Sequence, residues 1–458
     1  MEWKGKKVLV VGTGVSGIAA AQLLIQTGAD TILYDSNEKL CAEDIRAKSD
    51  GLQSIQMIFG ELSEDIINTI DIAVLSPGVS TEIPLVVQLA QHGATIWGEV
   101  ELAYRCAKGR LAAITGTNGK TTTTALTGEI LKSHFEDVKV VGNIGIPYTS
   151  MAPAMTDQTV TVAEISSFQL ETTDTFCPDV SAILNITPDH LNRHHTIECY
   201  TAVKESIAKN QKPGQTCVLN YEDPLLRAFG KTIDNYLNVI YFSSKRELER
   251  GLYLRDKSIY LAGADGIQKI ADTCELNLLG THNYENVMAA AAVTLALGVP
   301  LEKIRKVLKT FQAVAHRIEY VDEIAGVRYY NDSKATNPDA AIQGIRAMER
   351  PTYLIGGGYD KQSDYGDWID AFDGKVEKLV LLGDTKEKIA KEAREKGFTN
   401  YVMCESLREA VAYCYDHARP GEAVLLSPAC ASWDMFPNYE KRGDLFKEMV
   451  RSYGQREV

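Results

Sequence analysis

Short apolar runs, each followed by a glycine-rich or polar turn and then by a segment of helical spacing, recur along the whole chain. The first run, Lys7-Val8-Leu9-Val10-Val11, leads into Gly12-Thr13-Gly14-Val15-Ser16-Gly17 and then a helical pattern through Leu24. Runs of this length bounded by turn residues read as buried strands. Strands are therefore expected at Thr31 to Tyr34, Ile72 to Leu75, Leu111 to Ile114, Thr159 to Ala163 and Val180 to Leu184. Further strands are expected at Val327 to Tyr330, Thr352 to Ile355, Lys378 to Leu382 and Ala423 to Leu426. Helices are expected at Thr122 to Leu131, Tyr284 to Leu297 and Leu301 to Phe311. Strands alternating with helices predict an α/β protein with parallel sheets. The pattern falls into three segments, 1–108, 109–314 and 315–458, with no internal repeat.

Composition narrows the classes. The 458 residues suffice for several domains, and 45% hydrophobic with 24% charged residues is ordinary for a globular protein. A net charge of −13 argues against non-specific nucleic-acid or acidic-membrane binding, so an anionic ligand needs a local basic pocket. The longest apolar run, Val287 to Val299, is too short to cross a bilayer and reads as a buried helix. Met1-Glu2-Trp3-Lys4 leads straight into a strand without a signal-peptide pattern. Nine cysteines without paired CxxC spacing fit reduced thiols, and together these features predict a cytoplasmic protein.

The sharpest chemical signal is Gly116-Thr117-Asn118-Gly119-Lys120-Thr121 between a strand and a helix. Such a turn aims backbone N–H groups at phosphates, the lysine adds charge, and the Thr121 hydroxyl can reach a magnesium ion. The usual pattern wants a glycine where Ile114 stands, so the loop is a shortened variant. A stand-alone GTPase or motor ATPase would pair its loop with an Asp-ended strand, whereas the comparable strand here ends at Glu164. Glu164 is a candidate magnesium ligand, with a helix-start acid as the alternative. The Gly12-Gly14-Gly17 fingerprint with Asp35 fits NAD or another diphosphate-bearing ligand. His190 could bind a metal as a neutral imidazole, while His194 and His195 read as solvated. Cys430 could be a nucleophile or simply a buried thiol, and Lys204 reads as a helix-surface lysine. Gly280 to Asn286, His316-Arg317, Asn331 to Pro338, Gly356 to Lys361 and Ser427 to Ser432 form polar or glycine-rich clusters. Most of them follow strands, where open α/β sheets place ligands.

Taken together, Thr115 to Thr121, Glu164, Asp189-His190, His282 to Asn286 and His316-Arg317 resemble the ATP-dependent Mur ligases of peptidoglycan synthesis. Asp332 to Asn337 and Ser427 to Ser432 resemble the branch of that family that adds D-glutamate. The resemblance covers essentially the whole chain. It implies a Rossmann-like N-terminal domain for the UDP-substrate and a P-loop ATPase-like central domain. It also implies a Rossmann-like C-terminal domain that closes on ATP and binds D-glutamate. The implied catalytic residues are Lys120, His190, Lys204 and Arg317. Gly116, Thr117, Asn118, Gly119, Lys120, Thr121, Thr122, Asn283, Arg317 and Asp332 would bind ATP. Gly14, Val15, Ser16, Asp35, Ser36, Asn143 and Ser166 would bind UDP-N-acetylmuramoyl-L-alanine. Lys334, Thr336, Lys361, Ser432 and Tyr439 would bind D-glutamate. Thr121, Glu164, His190 and a carbamylated Lys204 would hold two Mg2+ ions. The resemblance also implies a monomer with small-molecule substrates, no nucleic-acid partner and no membrane insertion.

Overall fold

The computed structural model describes all residues except 1–2, 48–50, 54, 144–145, 313–314 and 455–458. Three α/β sheets carry the chain, which divides into two compact units. One is Met1–Ala271 with Glu285–Leu308, and the other is Asp272–Tyr284 with Lys309–Val458. The expected joint near residue 314 lies outside the described residues.

The first sheet is five-stranded, in the order Gln56–Phe59, Asp30–Asp35, Lys7–Val11, Ile72–Leu75, Thr95–Gly98, and is parallel throughout. Strand order reverses between Lys7–Val11 and Ile72–Leu75, which opens a crevice above their C-terminal ends. The fingerprint glycines have steric reasons. Gly12 has φ +104°, and a Cβ on Gly17 would lie 1.9 Å from the Gly12 carbonyl oxygen. Only glycine lets the helix Val15–Thr27 pack that close to its strand.

The second sheet has nine strands, with Arg110–Thr115 flanked by Val180–Ile183 and Val160–Glu164. The third has six, with Ala423–Leu426 between Val327–Asn331 and Thr352–Gly356. The expected strands are all present within a residue or two. The expectation of wholly parallel sheets needs correction at two edges. Gly251–Arg255 pairs antiparallel with Ser258–Gly263, and Glu319–Ile324 pairs antiparallel with Val327–Asn331. Each pair is joined by a two-residue turn with both residues at positive φ, Asp256-Lys257 and Ala325-Gly326. That backbone matches the twist of a tight hairpin.

One continuous apolar core runs from Val8 and Val10 through Trp97, Val100 and Leu102 to Ala113, Ile183 and Leu219, so the first two sheets share it. Trp3 and Trp97 meet edge to face at 5.3 Å within it. Among the described residues no helix is long and apolar enough to cross a membrane.

Candidate active site

In the first unit the shortened loop leaves Arg110–Thr115 and opens the helix Lys120–Lys132. Gly119 has φ +85°, and a Cβ there would sit 2.2 Å from Asn286 Oδ1. The neighbouring strand end holds the loop in place. Asn185 accepts from the Thr117 N–H (2.9 Å) through its carbonyl and from the Asn118 N–H (2.7 Å) through its side chain. The Lys120 ammonium donates back to the carbonyls of Gly116 (2.8 Å) and Thr117 (2.9 Å).

Lys204 donates to the same Gly116 carbonyl at 2.9 Å. It is 1% exposed, which corrects the surface-lysine expectation. The helix Ile197–Glu205 lays this face on the loop, and Tyr200, one turn earlier, puts its ring 4.6 Å from the Lys204 nitrogen. Burial, with the charge of Lys120 adding to it, holds the Lys204 amine well below the ordinary lysine range.

Glu164 ends the strand Val160–Glu164 in register with Ile114 and is 1% exposed. Its Oε1 accepts from Asn143 Nδ2 at 2.7 Å, while its Oε2 is buried with no hydrogen-bond partner. A buried carboxylate oxygen without a donor is costly unless something positive meets it. Together with the Thr121 hydroxyl at the helix start, this donor set fits magnesium, which takes few protein oxygens and completes its shell with phosphate and water. Among the described residues no group of three His, Cys, Asp or Glu side chains is gathered for a metal.

His190 sits at φ +52° before the turn Leu191–His194, half exposed, with its Nε2 3.5 Å from Asp189 Oδ2. His194 departs from the solvated expectation. It is 4% exposed, bonded to Ser167 Oγ at 3.0 Å and 3.3 Å from Glu171, because the ring of Phe168 stacks on it. His195 is exposed, as expected.

At the first sheet Gly14 caps the helix Val15–Thr27, where Val15 is exposed and Ser16 half-buried. Asp35 Oδ2 accepts from the Thr13 N–H (3.0 Å) and hydroxyl (2.8 Å), so this carboxylate fixes the turn, and Ser36 beside it is exposed. Ser166 caps the turn Ser167–Leu170 in a reciprocal box with Gln169.

The second unit gathers its own cluster at the adjoining C-terminal ends of Val327–Asn331, Ala423–Leu426 and Thr352–Gly356. Arg442, 1% exposed, ties two of these loops by donating to Ser333 O (2.9 Å), Ser333 Oγ (3.0 Å) and Cys430 O (3.2 Å). The Tyr359 N–H donates to Ala431 O at 2.9 Å and brings in the third loop. Ser432 is buried, Thr336 half-buried, and Lys334 lies 5.6 Å over the Tyr439 ring. Lys361 is exposed and lies 5.1 Å over the ring of Trp433. Asp332 accepts from Ser427 Oγ (2.7 Å) and the Ile318 N–H (3.3 Å), and burial pushes its carboxyl up to about 7. The charge of Arg317 acts on both Asp332 and His282, and burial holds His282 down at about 4. Arg317 Nε is buried without a partner, and Asn283 donates to Leu279 O at 2.8 Å. Cys430 is buried against Tyr365 and Thr385, and burial raises its thiol above the ordinary range, which favours the inert alternative.

Three residues at the loop were outside the sequence-derived site. Asn286 packs on Gly119, Tyr200 meets Thr117 Oγ1 at 3.2 Å, and Asn185 holds the loop backbone. Spacing offered a signal for two of them: Asn286 lies one turn after Asn283, and Tyr200 one turn before Lys204.

Comparison with known proteins gives a consistent picture. Three family models match: a MurD-like N-terminal domain over residues 6–98, a Mur ligase middle domain over 114–294, and a glutamate ligase domain of Mur ligases over 316–430. A UDP-N-acetylmuramoylalanine--D-glutamate ligase of Lachnoclostridium phytofermentans is 56% identical, with 99% of each chain covered. The enzyme of that name from Lachnospira eligens is 50% identical over 99% of this chain and 100% of its own. The UDP-N-acetylmuramate-alanine ligase MurC of Thermotoga maritima superposes with a TM-score of 0.60 at 20% identity, covering 98% of this chain and 99% of that one. The MurF ligase of Thermotoga maritima in complex with ADP does so with a TM-score of 0.59 at 17% identity, covering 100% and 97%.

Proposed function

This chain belongs to the Mur ligase family, and from that premise we propose that it joins D-glutamate to UDP-N-acetylmuramoyl-L-alanine at the expense of ATP. The observation that carries the reading is the cluster at the shortened loop. Two lysines converge there on one carbonyl, within the fold that also buries the unpartnered oxygen of Glu164. The choice of D-glutamate leans on the third-sheet loops and on the names of the full-length relatives.

A carboxylate is a poor acylating agent in water because its leaving group is poor. In the proposed reaction the L-alanine carboxylate oxygen attacks the γ-phosphorus of ATP, the bond to ADP breaks, and an acyl phosphate forms. The D-glutamate nitrogen then adds to the acyl carbon, loses a proton, and phosphate leaves as the C–O bond breaks. Phosphoryl transfer depends on positioning and charge neutralisation more than on covalent help. Lys120 and the N–H groups of Gly116 to Thr122 would hold the phosphates. Arg317 would face the γ-phosphate, Asn283 would orient the nucleotide, and Asp332 would accept from its ribose. When bound, two magnesium ions would screen phosphate charge. Thr121 and Glu164 would hold one, and Glu164, His190 and a carbamate on Lys204 the other. The neutral amine favoured by burial is the form that attacks carbon dioxide: an N–C bond forms and one proton leaves to solvent.

Gly14, Val15, Ser16, Asp35, Ser36, Asn143 and Ser166 would contact the UDP-substrate, and Lys334, Thr336, Lys361, Ser432 and Tyr439 D-glutamate. The domains would run 1–108, 109–314 and 315–458, in a cytoplasmic monomer without nucleic-acid partners. Phosphate release from ATP, measured with each substrate omitted in turn and with a panel of amino acids, tests the proposal. Release that strictly requires both D-glutamate and the UDP-substrate is expected. Release without either, or preference for another amino acid, would overturn it.

A further inference from the structure

Two acidic residues open the helix Glu99–Cys106, and the structure treats them differently. Glu101 is fully engaged. It accepts from the backbone N–H groups of Asp174 (2.9 Å), Thr175 (3.0 Å) and Phe176 (3.1 Å), from Thr175 Oγ1 and from Arg105 (both 2.6 Å). That is an anchor between the first and second sheets. Glu99, two residues earlier, is 2% exposed; its Oε1 accepts from Gln169 Nε2 at 2.8 Å, and its Oε2 is buried without a hydrogen-bond partner. A residue whose only duty was to join two domains would not keep a buried carboxylate half satisfied, since an apolar or amide side chain would cost less.

Gln169 passes the interaction on. Its Oε1 accepts from both the Ser166 N–H and the Ser166 hydroxyl, each at 2.9 Å. An amide has one accepting end and one donating end, so Gln169 can face Ser166 with its oxygen only while its nitrogen has an acceptor behind it. Glu99 is that acceptor. Ser166 follows the strand end at Glu164 and is among the residues proposed above to contact the UDP-substrate.

We infer that Glu99 is a positioning residue for the UDP-substrate, fixing through Gln169 the direction in which Ser166 is presented, and that protonating Glu99 loosens this setting. The inference rests on the proposed function for the identity of the ligand. Groups facing Glu99 leave it to titrate largely alone. The elements packed most closely on its helix are the helices Val15–Thr27, Tyr148–Met151 and Ser167–Leu170, the short turn Ala152–Ala154, and the strands Ile72–Leu75 and Thr95–Gly98. They carry one titratable side chain among them, Tyr148, whose phenol burial pushes up so that it stays neutral. On its own helix Glu101 and Arg105 are paired with each other, Arg105 also with Asp174 of the adjoining loop, and Tyr104 and Cys106 complete the set. Burial pushes the Glu99 carboxyl up to about 7, with the Gln169 amide and the Thr149 backbone acting the other way. A carboxylate accepts a hydrogen bond more strongly than a neutral acid, by a margin equivalent to about three- to tenfold in binding.

The test is calorimetric titration of the full chain with UDP-N-acetylmuramoyl-L-alanine, without ATP, between pH 6 and pH 8.5, for wild type, Glu99→Gln and Glu101→Gln. Wild type should bind about three- to tenfold more weakly at the acid end. Glu99→Gln should bind at the weak level throughout, with a flat profile and an undiminished melting midpoint. Glu101→Gln should melt lower yet keep the wild-type pH dependence. Glu99→Asp, which restores a carboxylate, should recover a sloping profile. A Glu99→Gln profile that overlays wild type would overturn the inference and leave the proposed function standing. A wild-type chain that does not bind the UDP-substrate at all would overturn both.

Discussion

At the scale of single residues, Lys204 shows how far burial can change what a side chain is for. On its helix it is one lysine among many, and nothing in its neighbours' identities announces that Tyr200 and the Gly116 carbonyl will enclose it. Lys204→Ala should lower ligation by at least about a hundredfold, the scale of removing one charge-stabilising group from a phosphoryl-transfer site. A small carboxylate anion should restore part of the rate, and a variant that ligates normally without one would argue against the carbamate. Glu99 carries a stability signature of its own. Its folded-state pKa, about 7, lies above the 4.5 of a free carboxyl. The stability it contributes is therefore whole below about pH 4.5 and is lost as pH rises through about 7, a swing of roughly 3 kcal/mol. Glu99→Gln should accordingly gain in melting temperature relative to wild type as pH is raised from 5 to 8. A constant difference across that range would show that the carboxyl titrates normally. His194 was illegible in the sequence for the same reason as Lys204: its cover, Phe168 and Ser167, comes from a different part of the chain.

At the scale of elements, local chemistry and its consequences were easy to read wherever the chain alternates between buried strand and turn. Gly12, Gly17, Gly116 and Gly119 all stand where a Cβ would strike a neighbour at under 3 Å, so the glycine spacing reported a real steric requirement. Gly119→Ala should be strained twice over, by φ +85° and by Asn286 Oδ1 at 2.2 Å. A loss of about 1–3 kcal/mol in stability is expected, with weaker ATP binding in the same variant; unchanged ATP affinity would mean that the loop does not need its observed path. The hairpin edges were harder. Asp256-Lys257 lacks the Asn-Gly or Asp-Gly pair that marks such turns, so nothing in its residue types announces that both would adopt positive φ. Lys361 and Trp433 lie 5.1 Å apart although 72 positions separate them, a pairing that only the neighbouring strand ends create.

At the scale of the molecule, three α/β segments were legible from alternation, and three sheets are present. The candidate site was legible as a set of motifs, because each follows a strand whose end is predictable. Its supports were less so: spacing hinted at Asn286 and Tyr200, but Asn185 and Arg442 act by holding loops, and holding is a property of the assembled fold. The first two sheets also share one apolar core, sealed by Glu101 on Thr175 and by Arg193, which donates to the carbonyls of Pro77 (3.3 Å) and Val79 (2.9 Å). A fragment ending near residue 108 would bare that core, so it should aggregate or remain unfolded, and the two sheets should melt in a single calorimetric transition. Two resolved transitions for these sheets would contradict this. The shared core has a further consequence for anyone recombining relatives. The sheet expected to grip the sugar nucleotide and the sheet expected to grip ATP cannot be exchanged as separate cassettes. A hybrid spliced near residue 108 inherits half of a seam from each parent, and it will fold only if both parents cut that seam to the same pattern.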